Sequence, residues 1–284
     1  MTELLTSEWK ILADYIHSIC GVQLDESKQY LIESRLRGLL EETASTSYSV
    51  LHQKARMDST GHLERAIINA ITTGETSFFR DNAPFELLRN KILPDLIDRR
   101  SQAGGPRIPI RIWSAACSTG QELYSIAIML RDVLGGSDKY DIRLIGTDIS
   151  PEAVRRASLG VYNSTEAARG MAAATLARYF TKADGNWKVC DEIRSMASFR
   201  TINLLRDFSM LGQFDIIFCR NVAIYFSESD KISLFGRIGK ALAPDGYLLI
   251  GATESLTGIC PEFELKRYLR AACYQKREDR RLRD

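Results

Sequence analysis

The first 72 residues carry hydrophobic side chains three and four positions apart, which is the spacing of one buried helical face. Gly21 stands where the first helix should end, and Asp25 can cap the second. Four helices are predicted, over Ser7–Cys20, from Asp25 to about Glu41, over Ser49–Arg56 and over Leu63–Ile71. We therefore predict an all-helical N-terminal domain over residues 1–72.

The hydrophobic pattern changes after residue 72. The segment Thr72–Arg80 is polar and interrupts the helical spacing, which Asn82–Arg100 then resumes. Pro94 should kink this helix because it lacks a backbone N–H. Residues 101–109 have the composition of a linker. Short apolar runs then alternate with helical patterns, and this predicts an α/β domain over residues 73–284.

The α/β domain is organised around a strand, a turn of small residues and a helix. The run Ile110–Trp113 is typical of a buried strand, and the small residues 114–120 follow it directly. A helix with an apolar face begins near Glu122. This unit predicts a doubly wound, Rossmann-like sheet, in which ligands bind beyond the carboxyl ends of the strands.

The rest of the chain supplies further strands and helices. Ser150, Pro151 and Gly160 are typical of a helix cap, a first helical position and a helix end. Residues from about 161 to 197 do not alternate as a doubly wound sheet should, and we predict an inserted subdomain with a hairpin. The remaining predicted elements are strands Ile142–Thr147, Ser198–Asn203, Phe214–Cys219 and Tyr247–Ile250, an insertion helix Ala167–Phe180, a helix Ser229–Leu242, a turn Pro244–Gly246, and an antiparallel hairpin Phe263–Arg267 with Ala272–Lys276.

Charge and cysteine content narrow the possible functions. The formal net charge is only +2, so no strong positive field favours nucleic acid. Six cysteines are scattered singly with no C-x-x-C, which indicates neither zinc nor a disulfide framework and favours a reducing cytoplasm. No leader pattern and no apolar run near 18 residues is present, so we expect neither export nor membrane insertion.

The residues near the central turn differ from those of a dinucleotide site. G-x-G-x-x-G would bind pyrophosphate at the helix N-terminus, but Gly120 stands alone and the carboxylate of Glu122 would repel phosphate and attract an amine. Asp148 ends the next strand, where an acid can accept hydrogen bonds from ribose hydroxyls. An amine at one end and a ribose at the other favour S-adenosylmethionine. Alternatively, Glu122 only complements the helix dipole and Asp148 only begins a turn.

Five segments carry a family resemblance. They are TGETSFFR at 73–80, SAACSTGQELYS at 114–125, GTDIS at 146–150, INLL at 202–205 and FDIIFCRNVAIYF at 214–226. Together they closely resemble the chemotaxis-receptor protein-glutamate O-methyltransferase family over nearly the whole chain. The resemblance implies an S-adenosylmethionine-dependent methyltransferase that esterifies glutamate side chains on the cytoplasmic helices of chemoreceptors. S-adenosylhomocysteine is then the product, no metal is implied, and the helical domain contacts the receptor.

The same resemblance implies the site residues. Its cofactor contacts fall on Thr76, Arg80, Ala115, Ala116, Glu122, Asp148, Asn203, Leu204, Asn221 and Tyr225. Arg80 and Tyr225 are the candidate catalytic residues, Arg80 beside the incoming glutamate and Tyr225 beside the methyl group. This chain departs from the family pattern at Gly74, where many members have Asn, and at Leu123, which replaces a frequent proline.

Structural roles compete with these assignments. Arg80 could form only a surface ion pair with Asp81, and Tyr225 could only pack in the core. All three histidines lie in the helical part, so a Ser–His–Asp hydrolase on this sheet is not expected. A glutamate carboxylate is ionised at neutral pH and needs no general base, which fits methyl transfer.

The choice of substrate and partner stays open to other interpretations. The same sheet could methylate a small acid, or the chain could be a signalling module that binds the cofactor without catalysis.

Lys28 and Arg35 share a helix face that is either solvated or a docking strip for an acidic partner. Some family members capture a receptor C-terminal pentapeptide on the inserted hairpin. The equivalent stretch Tyr179–Arg194 is short here, so we expect no such tether, and we expect a monomer.

Overall fold

A bundle of four helices forms the N-terminal part of the structure. The computed structural model describes residues 4–102, 104–268 and 270–277. The helices are α1 (Thr6–Cys20), α2 (Gln29–Glu42), α3 (Tyr48–Met57) and α4 (His62–Ile71). Their buried side chains form a hydrophobic cluster around Leu12, Ile16, Ile32 and Leu36. The four predicted helices are confirmed, and Gly21 ends the first of them with a left-handed φ of 76°.

The start of the second helix differs from the prediction. A 3₁₀ turn, Glu26–Lys28, precedes α2, and the Asp25 side chain caps no backbone N–H there. Its carboxylate accepts a hydrogen bond from the Ser27 hydroxyl and pairs with the Lys28 ammonium. The predicted cap at Asp25 is wrong because these nearer side-chain donors occupy the carboxylate.

A seven-stranded sheet forms the second part of the structure. Its strands are β1 (Ile108–Ala115), β2 (Tyr140–Asp148), β6 (Ala197–Thr201), β7 (Phe214–Cys219), β8 (Leu242–Ile250), β9 (Phe263–Tyr268) and β10 (Ala271–Lys276). They lie in the order β6-β2-β1-β7-β8-β10-β9. The strands from β6 to β8 are parallel, and β10 and β9 close the sheet as the predicted antiparallel hairpin. The carboxyl ends of β1, β2 and β7 therefore meet at one edge.

Alternate residues of the strands pack into two hydrophobic clusters, one on each face of the sheet. Ile216 and Phe218 belong to the cluster under α7 (Gln121–Leu134). Ile217 and Cys219 belong to the cluster under α12 (Glu228–Ala241). This alternation follows from the period of two along a strand. Because both faces of β7 are buried, its residues are apolar on both sides, and Asp215 near its start is the exception.

The helix that leads into the sheet is interrupted rather than continuous. It consists of α5 (Ala83–Leu87), a π-helical segment Leu88–Ile92 and α6 (Leu93–Gln102). The wide π turn ends just before Pro94, which cannot donate an intrahelical hydrogen bond. Because α6 continues to Gln102 and β1 begins at Ile108, the linker is shorter than the predicted 101–109.

The helix α8 (Pro151–Leu159) follows β2, capped by Ser150 and ended by Gly160 as predicted. The inserted subdomain comes next. It consists of β3 (Val161–Tyr162), α9 (Ser164–Ala168), α10 (Ala173–Tyr179), β4 (Phe180–Ala183), β5 (Asn186–Val189) and α11 (Asp191–Arg194). Its three strands form a small sheet in the order β3-β5-β4, which confirms the predicted hairpin.

The predicted helix Ala167–Phe180 is split into α9 and α10. Gly170 lies between them with φ 84°, and a Cβ there would come within 1.9 Å of the Phe78 carbonyl oxygen. The break therefore lets the chain pass close beneath the loop that precedes Arg80.

The predicted turn Pro244–Gly246 is part of β8 instead. Phe214 pairs with Leu242 and Ile216 pairs with Tyr247, so the register shifts between them and the predicted turn residues form an irregularity within the strand. A Cβ on Gly246 would lie 2.9 Å from the Asp215 carbonyl oxygen, so the close approach requires glycine.

Two further expectations concern membranes and the C-terminal end. In the part of the chain that the structure describes, no helix has the length and apolar character needed to cross a membrane. We predict the Arg-rich end Lys276–Asp284 to be solvated, and its residues 278–284 lie outside the described residues.

Candidate active site

A cavity of about 360 Å³ lies between the carboxyl ends of the parallel strands and the helical bundle. Nine of the ten predicted site residues line it: Thr76, Arg80, Ala116, Glu122, Asp148, Asn203, Leu204, Asn221 and Tyr225. The tenth, Ala115, has a buried side chain that packs with Trp113 and Ile217 in the sheet and does not line the cavity. Residues far apart in sequence thus converge on one site.

Backbone strain is concentrated around this cavity. Five non-glycine residues near it have a left-handed φ: Phe79, Asp81, Ala116, Ser118 and Asn221. Such conformations cost of the order of 1–3 kcal/mol each and persist where the surroundings hold them. Phe79 and Asp81 flank Arg80, so the loop that presents this guanidinium is held in an unusual shape.

Arg220, to which no sequence motif assigned a role, donates three hydrogen bonds at the site. It follows β7 directly, and its side chain is 2% exposed. Its Nη1 donates to Glu122 Oε2 at 2.8 Å, and its Nη2 donates to Asp81 Oδ2 at 2.8 Å and to the Arg80 carbonyl at 3.0 Å. Its Nε is buried without a hydrogen-bond partner. Arg220 lines the cavity, so its guanidinium places a positive charge beside the ligand space, which favours an anionic ligand group nearby.

Glu122 occupies the predicted position in the first turn of α7. Its Oε1 accepts a hydrogen bond from the Ser114 hydroxyl at 2.8 Å, while Oε2 accepts from Arg220. A carboxylate oxygen can accept two hydrogen bonds, so each oxygen keeps one position for an amine. The two protein bonds fix the orientation of the carboxylate.

Asp148 ends β2, and backbone donors hold its carboxylate. Its Oδ2 accepts from the Ser118 N–H at 2.8 Å and its Oδ1 from the Ser150 N–H at 2.9 Å. Burial raises the pKa of this carboxyl above its usual range, against the opposing effect of the backbone N–H groups. Each oxygen keeps an acceptor position, which suits a pair of ribose hydroxyls.

The turn Asn203–Leu205 contributes Asn203 and Leu204 to the cavity lining. Asn203 Nδ2 donates to the Ile19 carbonyl at the end of α1, and Asn203 Oδ1 accepts from the Leu205 N–H. The Leu204 carbonyl accepts from Arg237. The Asn203 side chain therefore connects this turn to the helical bundle, which the sequence analysis did not foresee.

Arg80 does not form the surface ion pair that competed with its functional assignment. Its Nη1 donates to the Glu75 carbonyl at 3.1 Å, while the Asp81 carboxylate pairs with Arg220. No carboxylate lies within ion-pair distance of Arg80 among the residues that the structure describes. Tyr225 lines the cavity as well, and its carbonyl accepts from the Gln23 N–H at 2.8 Å.

Lys28 and Arg35 line the cavity rather than forming a free surface strip. Arg35 donates to the Ile71 carbonyl and to the Thr73 hydroxyl, so it ties α2 to the segment that enters the second part of the chain. Lys28 pairs with Asp25. One of the two cations is thus committed to internal carbonyl and hydroxyl groups, and a docking strip made by the pair stays a prediction.

Across the described residues, no group of three or more His, Cys, Asp or Glu side chains could hold a metal ion. The donor set at the cavity instead suits S-adenosylmethionine. Asp148 offers acceptors for a ribose, Glu122 offers acceptors for an amine, and Arg220 offers a positive charge for a carboxylate. Together with the doubly wound sheet, this set defines the class of S-adenosylmethionine-dependent methyltransferases.

Comparison with known proteins identifies the family. Residues 74–269 match the family model described as CheR methyltransferase, SAM binding domain, and residues 7–72 match CheR methyltransferase, all-alpha domain. The chain therefore belongs to the CheR methyltransferase family of chemotaxis enzymes, and it is an S-adenosylmethionine-dependent methyltransferase. The predicted fold class, cofactor and enzyme class are confirmed, and the interpretation as a non-catalytic module is not.

Individual relatives are similar along almost their whole length. Chemotaxis protein methyltransferase Cher2 of Pseudomonas putida is 39% identical over 265 residues, covering 92% of this chain and 94% of the relative. Chemotaxis protein methyltransferase 1 of Pseudomonas aeruginosa is 38% identical over 263 residues, covering 91% and 94%. The protein of the same name from Vibrio cholerae is 38% identical over 263 residues, covering 92% and 93%.

Cofactor affinity is expected to depend on pH through Asp148. The ribose hydroxyls need an ionised acceptor, and burial raises the pKa of this carboxyl, so protonation begins at a higher pH than for an ordinary aspartate. Affinity for S-adenosylhomocysteine should therefore fall as the pH is lowered from neutrality through the raised pKa. Calorimetric titration between about pH 7.5 and the ordinary aspartate pKa near 4 measures this.

The variant Asp148→Ala is the matching test. Losing hydrogen bonds to a charged acceptor should cost about 1.5–3 kcal/mol of binding free energy and should flatten the pH dependence. Equal affinity in the two proteins, or an unchanged pH profile, would contradict the assignment of Asp148 to the ribose.

Proposed function

We propose that this enzyme transfers the methyl group of S-adenosylmethionine to glutamate side chains on the cytoplasmic helices of chemoreceptors. One observation carries the choice of a carboxylate substrate. Arg80 presents a guanidinium to the cofactor cavity with no carboxylate partner among the described residues. A planar guanidinium binds a carboxylate through two parallel hydrogen bonds, so an incoming glutamate completes this arrangement.

The residues that line the cavity then have different roles in the reaction. The bound cofactor supplies an activated methyl group on a sulfonium. Asp148, Glu122 and Arg220 hold the cofactor at its ribose and amino-acid ends, and Arg80 orients the glutamate carboxylate. Asn221 and Tyr225 complete the wall at the reacting end. No histidine is among the described lining residues, and an ionised carboxylate needs no base to become a nucleophile.

Receptor-containing membranes and methyl-labelled cofactor test this function. We expect label on receptor protein that is released by mild base, because carboxyl esters are base-labile whereas methylated amides and amines are not. Label found only on a small acid would favour the small-acid methyltransferase, against which the helical bundle argues. Base-stable label on protein would contradict a glutamate substrate.

We further propose a division of labour along the chain. Residues 1–72 form a receptor-docking domain and residues 73–284 the catalytic domain, which carries an inserted subdomain over about residues 161–197. The hydrophobic cluster of the four N-terminal helices supports this division. Docking then uses the outer face of the helical bundle and the mouth of the cavity, with the enzyme acting as a monomer.

Receptor capture through a C-terminal pentapeptide is not expected here. Peptide capture on a hairpin adds a strand to an exposed edge. The outer strand β4 has only four residues, joined to β5 by the tight turn Asp184–Gly185 with φ values of 48° and 77°. In a strand, alternate residues direct their backbone groups outward, so about two residues are available for pairing.

A titration of the enzyme with a receptor C-terminal pentapeptide tests this expectation. We expect no binding in the low-micromolar range, and unchanged methylation of receptors whose last residues are removed. Low-micromolar binding that disappears when Lys182–Lys188 is shortened would show that the hairpin binds the receptor peptide, and it would contradict this expectation.

A further inference from the structure

The carboxyl end of α1 and the loop after it contact two segments that line the cofactor cavity. The Gln23 N–H donates to the Tyr225 carbonyl at 2.8 Å, and the Ile19 carbonyl accepts from Asn203 Nδ2 at 2.8 Å. Between these two contacts, Gly21 packs closely: a Cβ there would lie 2.9 Å from Leu205 and 3.0 Å from Phe226. One short stretch of the helical bundle therefore supports both of these cavity-lining segments.

His17 adds a third contact, one turn before the end of α1. Its Nε2 lies 2.8 Å from Asp230 Oδ2, with 41% and 24% of the two side chains exposed. Since an ionised carboxylate can only accept, Nε2 carries the proton and donates. The Ser227 hydroxyl, followed by His17, holds the pKa of Asp230 below its usual range, so this carboxyl is ionised at neutral pH.

The position of Asp230 makes this pair relevant to catalysis. Asp230 lies in the first turn of α12, where Ser227 is the cap and accepts from the Asp230 N–H. That helix begins at Glu228, so the loop that carries Tyr225 runs directly into it. His17 thus fixes the far end of this loop, while Gln23 fixes its middle through the Tyr225 carbonyl.

The His17–Asp230 pair contributes little to folding stability, but it can have a large effect on the position of Tyr225. A single half-exposed ion pair contributes little to global stability. Misplacement of a reacting group by about 1 Å can nevertheless lower the rate about 100-fold. Removing His17 should therefore change turnover more than it changes thermal stability.

We propose that His17 is a positioning residue for the methyl-transfer reaction, acting on Tyr225 through Asp230 and the N-terminus of α12. The inference rests on the proposed role of Tyr225 at the reacting end of the cofactor. It makes the end of α1 a part of the active-site framework in addition to a part of the docking domain.

A double-mutant cycle on the full-length enzyme tests this inference with labelled cofactor and receptor-containing membranes. We expect His17→Leu to lower kcat about fivefold, with little change in KM for S-adenosylmethionine and in the melting temperature. His17→Gln keeps an N–H donor near the position of Nε2 and should recover most of the loss. Lys91→Ala, which removes an exposed pair with Asp95 on another helix, is the matched control and should leave kcat unchanged.

The variant Tyr225→Phe tests the positioning role of His17 separately from the role of Tyr225 at the reacting end. If His17 acts through Tyr225, the loss caused by His17→Leu should largely disappear in the Tyr225→Phe background. Equal losses in both backgrounds, or no loss in either, would overturn the positioning role even if Tyr225→Phe is impaired. A fully active Tyr225→Phe would overturn it together with the assignment of Tyr225 to the reacting end.

Discussion

Replacing Arg220 with alanine is expected to lower the free energy of unfolding by about 3 kcal/mol and to weaken cofactor binding at least 100-fold. The substitution leaves the Glu122 carboxylate, which is 13% exposed, without its cation, and removing one partner of a buried pair costs about 3–5 kcal/mol. The lower end applies because Asp81, the other partner, is 43% exposed and stays solvated. Denaturant unfolding and calorimetric titration with S-adenosylhomocysteine measure the two effects.

Two further variants separate the structural part of the Arg220 effect from the ligand-binding part. Adding Glu122→Gln to Arg220→Ala removes the unpaired charge, so stability should recover while cofactor binding stays weak. Glu122→Gln alone should weaken S-adenosylmethionine more than adenosine, which has no amine. Arg194→Ala removes an exposed ion pair with Asp191, neither of which lines the cavity, and is the matched control. Unchanged unfolding and unchanged affinity in Arg220→Ala would show that this network has no role in the site.

The regular elements could be predicted from sequence because local rules decide them. Both ends of the strand Phe214–Cys219 were predicted correctly. Its six residues are apolar except Asp215, and such a run is typical of a strand buried on both faces. Helix α8 was predicted from its Ser150 cap, its Pro151 start and its Gly160 end, each of which acts within one turn. Two of the predictions that failed depend on distant contacts. Gly170 splits a helix because Phe78 lies against it, and the irregularity of β8 near Gly246 lies against the Asp215 carbonyl.

The site itself was only partly accessible from sequence. Asp148 and Glu122 could be found because both stand at the carboxyl edge of a parallel sheet, where position predicts function. The role of Arg220 could not be found, because its partners come from segments separated from it by 98 and 139 residues. An arginine directly after a buried strand was the available signal, since a buried guanidinium needs acidic partners.

Contacts between the helical bundle and the sheet were the least predictable part. Arg35 was interpreted as a surface cation. Its position in the helical repeat shows which side of the helix it lies on, but it does not show which other segments pack against that side. The structure shows it bonded to Ile71 and Thr73. Likewise, Asn203 was assigned to the cofactor through the family resemblance, and its tie to Ile19 became visible only in three dimensions.

The variant Arg80→Ala is expected to lower turnover about 100-fold while changing the melting temperature by no more than a few degrees. Its side chain makes one hydrogen bond, to the Glu75 carbonyl, so little stability is lost with it. The catalytic loss is large because the glutamate carboxylate then lacks the group that aligns it with the methyl donor. Arg80→Lys should recover only part of the rate, since an ammonium cannot form two parallel hydrogen bonds to a carboxylate.

Single-turnover methylation of receptor-containing membranes, measured with saturating cofactor, separates alignment from cofactor binding. Arg89→Ala, at an exposed position in the π-helical segment after the same loop, is the matched control and should retain full turnover. The cofactor affinity of Arg80→Ala should fall less than its turnover, because ribose and amine stay bound by Asp148 and Glu122. A variant that melts early but turns over normally when folded would instead show that Arg80 only supports the strained loop between Phe79 and Asp81.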